Sequence, residues 1–101
     1  MTKAERVKAV MRKEKVDQVP AGFWFHYRSD YTPQQMIDAH LELFRETDMD
    51  VIKIMQDYPY PISGKIESAE DWYKIQVKGT DSEEFAKMAE VIQGIRKEAG
   101  E

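Results

Sequence analysis

The chain has 101 residues, of which 42% are hydrophobic and 34% are charged, so it is long enough for one folded domain at most. It contains no cysteine, which excludes disulfides, thiolate catalysis and cysteine-ligated zinc within these residues. The net charge is −4, no basic run could neutralise phosphates, and no apolar run approaches the ~20 residues of a membrane span, so we expect a cytoplasmic protein that binds neither nucleic acid nor a membrane.

The first predicted element is a helix over about residues 3–13. Thr2 and Glu5 have the spacing of a capping box, in which each side chain accepts a hydrogen bond from the backbone amide of the other residue. Apolar residues then recur at helical spacing, with Lys and Arg between them. Because the apolar stripe is narrow, we expect this helix to lie on the surface.

A first β-strand is predicted for residues 21–27, directly after Pro20. Aromatic residues dominate this stretch, which favours a strand over a helix. Alternation places His26 and Arg28 on the same face, but it does not decide which face points toward a site.

A helix and a second strand follow. Thr32 and Gln35 form another capping box, and a proline occupies the first helical position between them. The helix is predicted to reach about Glu46, and the β-branched run at residues 51–55 then predicts a buried strand that ends at Asp57. Strand, helix and strand in this order form a βαβ unit, in which the two strands are parallel.

Beyond the second strand, the sequence predicts a loop and two further helices. Residues 58–61 cannot continue a strand because of their prolines, and residues 62–67 form a short extended piece or an irregular excursion. A short helix is predicted after Ser68, and a longer amphipathic helix from about Ser82 to Lys97.

These elements predict an α/β fold, with residues 1–101 as a single, incomplete domain of two parallel strands and flanking helices. Two parallel strands leave both edges unpaired, and parallel sheets normally have both faces covered. We therefore expect either that the chain is part of a larger α/β sheet or that it forms a homo-oligomer through its open strand edges.

Asp57 is the principal candidate for a catalytic residue. A carboxylate at the carboxyl end of a parallel strand is where α/β barrels place their chemistry. The alternative is an Asx-type turn cap before Tyr58 and Pro59. Lys53 shares the predicted Asp57 face and would pair with a carboxylate inside a barrel or extend to its rim.

His26, Arg28 and Tyr58 are the candidate substrate-binding residues. His26 and Arg28 end the first strand and could contact an anionic group of a substrate, while Tyr58 could line an aromatic pocket. A single His without a second ligand nearby is weak evidence for a metal. No metal site is therefore predicted, and a place at the edge of the core is the alternative for His26.

Three stretches resemble the N-terminal portion of the uroporphyrinogen decarboxylase family. Residues 5–20 are similar to the family's opening helix and to its entry into the first strand. Residues 41–50 are similar to the crossover helix and turn, and residues 51–57 to a second strand that ends on the family's active-site aspartate. The resemblance covers essentially the whole chain but only the first third of the family's barrel.

The resemblance implies the N-terminal βαβ portion of a TIM-type (β/α)8 barrel and one of two activities. The first is cofactor-free decarboxylation of the acetate side chains of uroporphyrinogen in porphyrin biosynthesis. Asp57 would there accept hydrogen bonds from pyrrole N–H groups and stabilise the positive charge of the protonated ring. The second is methyl transfer between corrinoid proteins and thiols, with zinc bound later in the barrel. The substrate would be a tetrapyrrole or a methyl donor, and no cofactor would bind within this chain.

The chain departs from the decarboxylase pattern after the first strand. The family there carries two arginines that bind substrate carboxylates, whereas residues 25–31 contain only Arg28, with Tyr31 as a second candidate. Both activities therefore stay open, and the isolated chain is expected to be inactive. The alternative from a different class is a non-catalytic, self-associating α/β module.

Overall fold

A computed structural model describes residues 1–59 and 65–100 of the chain. They form α1 (Lys3–Met11), α2 (Pro33–Thr47), a short 3₁₀ helix (Ala69–Lys74) and α3 (Glu83–Ala99). The second half of the predicted loop, residues 60–61, and the first part of the predicted extended piece, residues 62–64, lie outside the described residues. Among the helices described, none is both long and apolar enough to cross a membrane.

Both predicted capping boxes are confirmed. Thr2 Oγ1 accepts from the Glu5 amide at 3.2 Å, and Glu5 Oε2 accepts from the Thr2 amide at 2.7 Å. Thr32 and Gln35 make the same reciprocal pair at the start of α2, at 3.2 and 2.9 Å. After α2, Asp48 has a φ of 52°, in the left-handed region that ends helices. These caps provide hydrogen-bond acceptors for amides that have no partner inside the helix. The local sequence therefore determines where α1 and α2 begin.

The predicted α/β fold is wrong, because none of the described residues lies in a β-strand. The stretches predicted as strands, which we call the first segment (residues 21–27) and the second segment (residues 51–57), run side by side in the same direction. Their starts are joined by one backbone hydrogen bond, from Asp50 N to Ala21 O at 2.8 Å, and their ends through the side chain of Asp57. The predicted barrel portion with two parallel strands is therefore not formed.

The strand prediction failed because strand propensity acts through packing against neighbouring strands. Phe23 and Phe25 are each 60% exposed and Trp24 is 53% exposed, so three of the four aromatic residues that favoured a strand are more than half exposed. Two strands alone are marginal in water, and parallel strands are normally covered on both faces. The two segments consequently lie alongside each other without forming a hydrogen-bonded ladder.

The core lies between α2 and α3, the one pair of helices in the described chain that pack against each other. Its buried members come from both helices and from the residue directly after the second segment: Met36, Ile37, Leu41, Tyr58, Met88, Val91 and Ile95. Gly94 of α3 faces Ile37 so closely that a methyl group at this position would overlap the Ile37 side chain. Gly94 therefore allows the close approach of the two helices.

The protein is elongated. Its radius of gyration is 17.6 Å and its extents are 52 × 29 × 22 Å, whereas a compact domain of this length would have a radius of gyration of ~13 Å. A core built mainly from two helices covers only the end of the first segment, where Tyr27 packs against it, and leaves Phe23, Trp24 and Phe25 exposed.

Buried charges attach α1 to the rest of the chain. The Arg6 guanidinium donates to both carboxylate oxygens of Asp17, at 2.7 and 2.8 Å, and also to Asp50. The other oxygen of Asp50 accepts from the Ala21 amide at 2.9 Å. The Ala21 amide and Arg6 lower the pKa of Asp50, and Arg6 lowers the pKa of Asp17. One carboxylate, Asp50, therefore joins α1 to the start of the first segment.

Candidate functional site

The candidate site lies where the first and second segments end together. The Asp57 carboxylate accepts one hydrogen bond from the Tyr27 backbone amide and another from His26 Nδ1, each at 2.8 Å. These partners lie 30 and 31 residues away in the sequence. Asp57 therefore links the two segments, which differs from the Asx-type turn cap that its position before Pro59 also allowed.

Asp57 and His26 differ in their access to solvent. The side chain of Asp57 is 8% exposed, and that of His26 is 79% exposed. Burial acts to raise the pKa of Asp57, but the hydrogen bonds from the Tyr27 amide and the His26 ring outweigh it, so the pKa lies below its ordinary value. Asp57 is therefore a carboxylate at neutral pH, buried beneath an imidazole that faces solvent.

The pairing with Asp57 fixes the hydrogen position on the His26 ring. A carboxylate can only accept hydrogen bonds, so Nδ1 of His26 is the donor in this contact. The second ring nitrogen, Nε2, belongs to a side chain that is largely in solvent. A histidine held in this way by a carboxylate is suited to transferring a proton or binding a metal through Nε2.

The structure does not bring the other two predicted substrate-binding residues to this carboxylate. Arg28 makes an exposed ion pair with Asp30, with contacts of 2.9 and 2.6 Å. Tyr58 is buried in the core, and its hydroxyl donates to the Tyr31 carbonyl at 3.1 Å. Of the predicted site residues, the structure thus joins Asp57 with His26 alone.

Lys53, which was predicted to share the face of Asp57, has a different neighbour. Its ammonium group lies 4.1 Å from the centroid of the Trp24 ring, and both side chains are exposed. This arrangement is a cation–π contact across the two segments. Lys53 therefore holds the segments side by side and is not a partner of Asp57.

His40, whose place on α2 beside Leu41 and Phe44 indicates a structural role, lies in the core and supports the second segment. This ring is 3% exposed, Nδ1 donates to the Met36 carbonyl at 2.7 Å, and Nε2 accepts from the Met55 amide at 3.0 Å. Its centroid also lies 4.5 Å from that of Tyr27. The available signal was a polar ring on the apolar face of α2, which in a buried position needs hydrogen-bond partners.

No metal cluster accompanies Asp57 in the described residues. Across residues 1–59 and 65–100, no three His, Asp or Glu side chains are grouped to hold a metal ion. A groove of about 570 Å³ is lined by apolar residues that include Val7, Phe44 and Ile54, but neither Asp57 nor His26 lines it. Because the His26 side chain is 79% exposed, the candidate chemistry lies at the protein surface.

No protein-family model, no curated protein and no solved structure matches this chain. The resemblance to the uroporphyrinogen decarboxylase family accordingly stays a prediction from its three stretches of sequence. The geometry around Asp57 is the independent basis for assigning a function.

Proposed function

We propose that this chain is the N-terminal part of an enzyme of the uroporphyrinogen decarboxylase family and that Asp57 and His26 belong to its substrate site. The main support for this proposal is that the Asp57 carboxylate is hydrogen-bonded to His26 and to the Tyr27 amide at the end of the first segment. The aspartate singled out by the resemblance is the same residue that the structure holds as a largely buried carboxylate beside an exposed histidine.

The electrostatics of Asp57 support a role in a reaction that develops positive charge. Its lowered pKa keeps it negative at neutral pH, and its burial reduces the screening of that charge by water. A fixed negative charge of this kind stabilises a cationic intermediate more strongly than an exposed carboxylate does. Protonation of a pyrrole ring, which the family resemblance implies for decarboxylation, creates such a cation.

The pairing of Arg28 favours the methyl-transfer branch as the second candidate. Arg28 is already matched by Asp30, so it does not offer an uncompensated positive charge to a substrate with several carboxylates. A methyl donor does not need that charge. The zinc of this branch does not fit the described residues, because His26 and Asp57 supply two candidate ligands where a catalytic zinc site uses three protein ligands.

A self-associating module is the candidate outside enzymology. The exposed aromatic side chains of Phe23, Trp24 and Phe25 support association with a second copy of this chain, because adjacent apolar side chains are normally covered in a stable protein. The homo-oligomer predicted from the sequence therefore stays a proposal.

The test is an activity assay of the full-length natural protein. Uroporphyrinogen is the substrate in one assay, and a methylated corrinoid plus a thiol are the substrates in the other. We expect one of the two reactions to proceed and Asp57→Asn to lower kcat/KM by about 100-fold, as for the loss of one charge-stabilising group. Asp81→Asn, which changes an exposed carboxylate two positions before α3, is the matched control and should keep the full rate.

Two outcomes would contradict the proposal. A full rate in Asp57→Asn would remove Asp57 from the site. The absence of both reactions, together with a dimeric or larger mass on size exclusion, would favour the self-associating module.

A further inference from the structure

The contact between Asp57 and His26 places a reactive nitrogen on the surface. Asp57 Oδ1 accepts from His26 Nδ1 at 2.8 Å, while Oδ2 accepts from the Tyr27 amide at the same distance. With both oxygens engaged and the side chain 8% exposed, the carboxylate is held in one orientation. The imidazole that it holds is 79% exposed, so its far side is open to a ligand.

The second histidine of the chain shows what a purely structural ring looks like. His40 is 3% exposed, and its two nitrogens are bonded to the Met36 carbonyl and the Met55 amide. No ligand could reach either nitrogen without breaking the core. His26 is different because one nitrogen is fixed by a buried carboxylate and the other belongs to the solvent-facing part of the ring.

We infer that His26 is the residue that exchanges a proton with the substrate, through Nε2, and that Asp57 is its positioning residue. This inference rests on the proposed function for the identity of the substrate, but its geometric basis does not depend on it. A carboxylate bonded to Nδ1–H selects the tautomer with a lone pair on Nε2 and stabilises the imidazolium that forms when Nε2 takes a proton.

The proton balance is simple. In the donor direction, the Nε2–H bond of the imidazolium breaks and a new bond forms between that proton and a basic atom of the substrate. The ring is left neutral, with Nδ1–H still bonded to Asp57. A hydronium ion or a buffer acid in the solvent then gives a proton to Nε2 and restores the imidazolium, so no oxidant, reductant or metal is required.

The first test measures the tautomer of His26 in the intact chain by long-range ¹H–¹⁵N NMR spectra. We expect the neutral His26 ring to be mainly in the Nδ1–H form, whereas free imidazole side chains favour the Nε2–H form. In Asp57→Asn, the His26 signals should shift toward the free pattern, and His40 should be unchanged as the internal reference. A wild-type His26 that is mainly Nε2–H would overturn the inference without any variant.

The second test measures the reactivity of Nε2 with diethyl pyrocarbonate, which acylates neutral imidazole nitrogens. We expect one histidine to react rapidly in the wild-type chain, and none to react rapidly in His26→Gln because His40 is buried. Asp57→Asn should slow the reaction of His26 several-fold, since the carboxylate increases the electron density of the ring. Equal rates in the wild type and Asp57→Asn would overturn the role of Asp57.

These measurements separate the inference from the proposed function. Both use the chain without a substrate, so failure of the enzyme assay leaves their results intact. Conversely, an Nε2–H tautomer for His26 in a protein that is active on either substrate would disprove the inference and leave the family assignment standing.

Discussion

Replacement of Arg6 by Ala is expected to lower the melting temperature of the chain by roughly 10 °C or more. Arg6 is buried, and it donates to the carboxylates of Asp17 and Asp50 from within α1. Its removal leaves Asp50 as a buried negative charge, since the side chain of Asp50 is 5% exposed. Breaking one side of a buried ion pair is among the most destabilising single changes.

The matched control is Arg12→Ala. Arg12 also makes a two-contact ion pair, with Glu14 at 2.8 Å, but both side chains are more than half exposed. Exposed pairs contribute little to stability, so this variant should melt within about 2 °C of the wild type. Thermal unfolding followed by circular dichroism tests both variants. Equal losses of melting temperature would show that the ion pairs of Arg6 with Asp17 and Asp50 do not hold α1 in place.

The ion pair between Arg6 and Asp50 also makes the stability of the fold depend on pH. The pKa of Asp50 is lower in the folded chain than in the unfolded chain, because the Ala21 amide and Arg6 favour its charged form. Its contribution is therefore present above the unfolded value of about 4 and is lost as the pH falls through the folded value. Urea midpoints should consequently be lower at pH 3 than at pH 7, and this difference should shrink in Arg6→Ala.

Replacement of His40 by Ala is expected to destabilise the fold by about 3 kcal/mol. The change leaves a cavity in the core, removes the partner of the Met55 amide, and takes from the Met36 carbonyl its side-chain hydrogen bond but not its helical one. The Tyr27 ring also loses its contact with the imidazole. Because His40 connects α2 to the second segment, the Met55 amide should exchange with solvent hydrogen much faster in the variant.

The control is the other histidine. His26→Ala removes a ring that is 79% exposed, but it also takes one hydrogen bond from the buried Asp57 carboxylate, so we expect it to lower the free energy of unfolding by about 1 kcal/mol, well below the effect of His40→Ala. Urea denaturation of both variants gives the comparison. A His26→Ala loss as large as that of His40→Ala would contradict the division between a supporting histidine in the core and a reactive histidine at the surface.

The helices could be predicted from the sequence because their signals are local. The capping boxes at Thr2 and Thr32 involve residues three positions apart, and the structure confirms both. The strands could not be predicted correctly from residues 21–27 and 51–57, because a sheet depends on neighbours that periodicity does not reveal. Three of the four aromatic residues that favoured a strand are more than half exposed.

The candidate site was predicted only in part. Asp57 was identified by its position at the end of an apolar run, and His26 by its position at the end of the first segment, but their mutual hydrogen bond spans 31 residues. Arg28 was expected beside them, but it forms an ion pair with Asp30 instead, and the sequence analysis did not predict that pair. The contact between Arg6 and Asp50 spans 44 residues, and no sequence pattern signals it.

The central claim is that the Asp57 carboxylate joins the ends of the two segments, and the Tyr27 amide reports on it most directly. Its hydrogen should exchange slowly in the wild type and in His26→Gln, which keeps the bond from Tyr27 to Asp57. Exchange should become at least about tenfold faster in Asp57→Asn, since a weaker acceptor then faces the amide. A wild-type Tyr27 amide that exchanges as fast as one in an unstructured peptide would contradict the account.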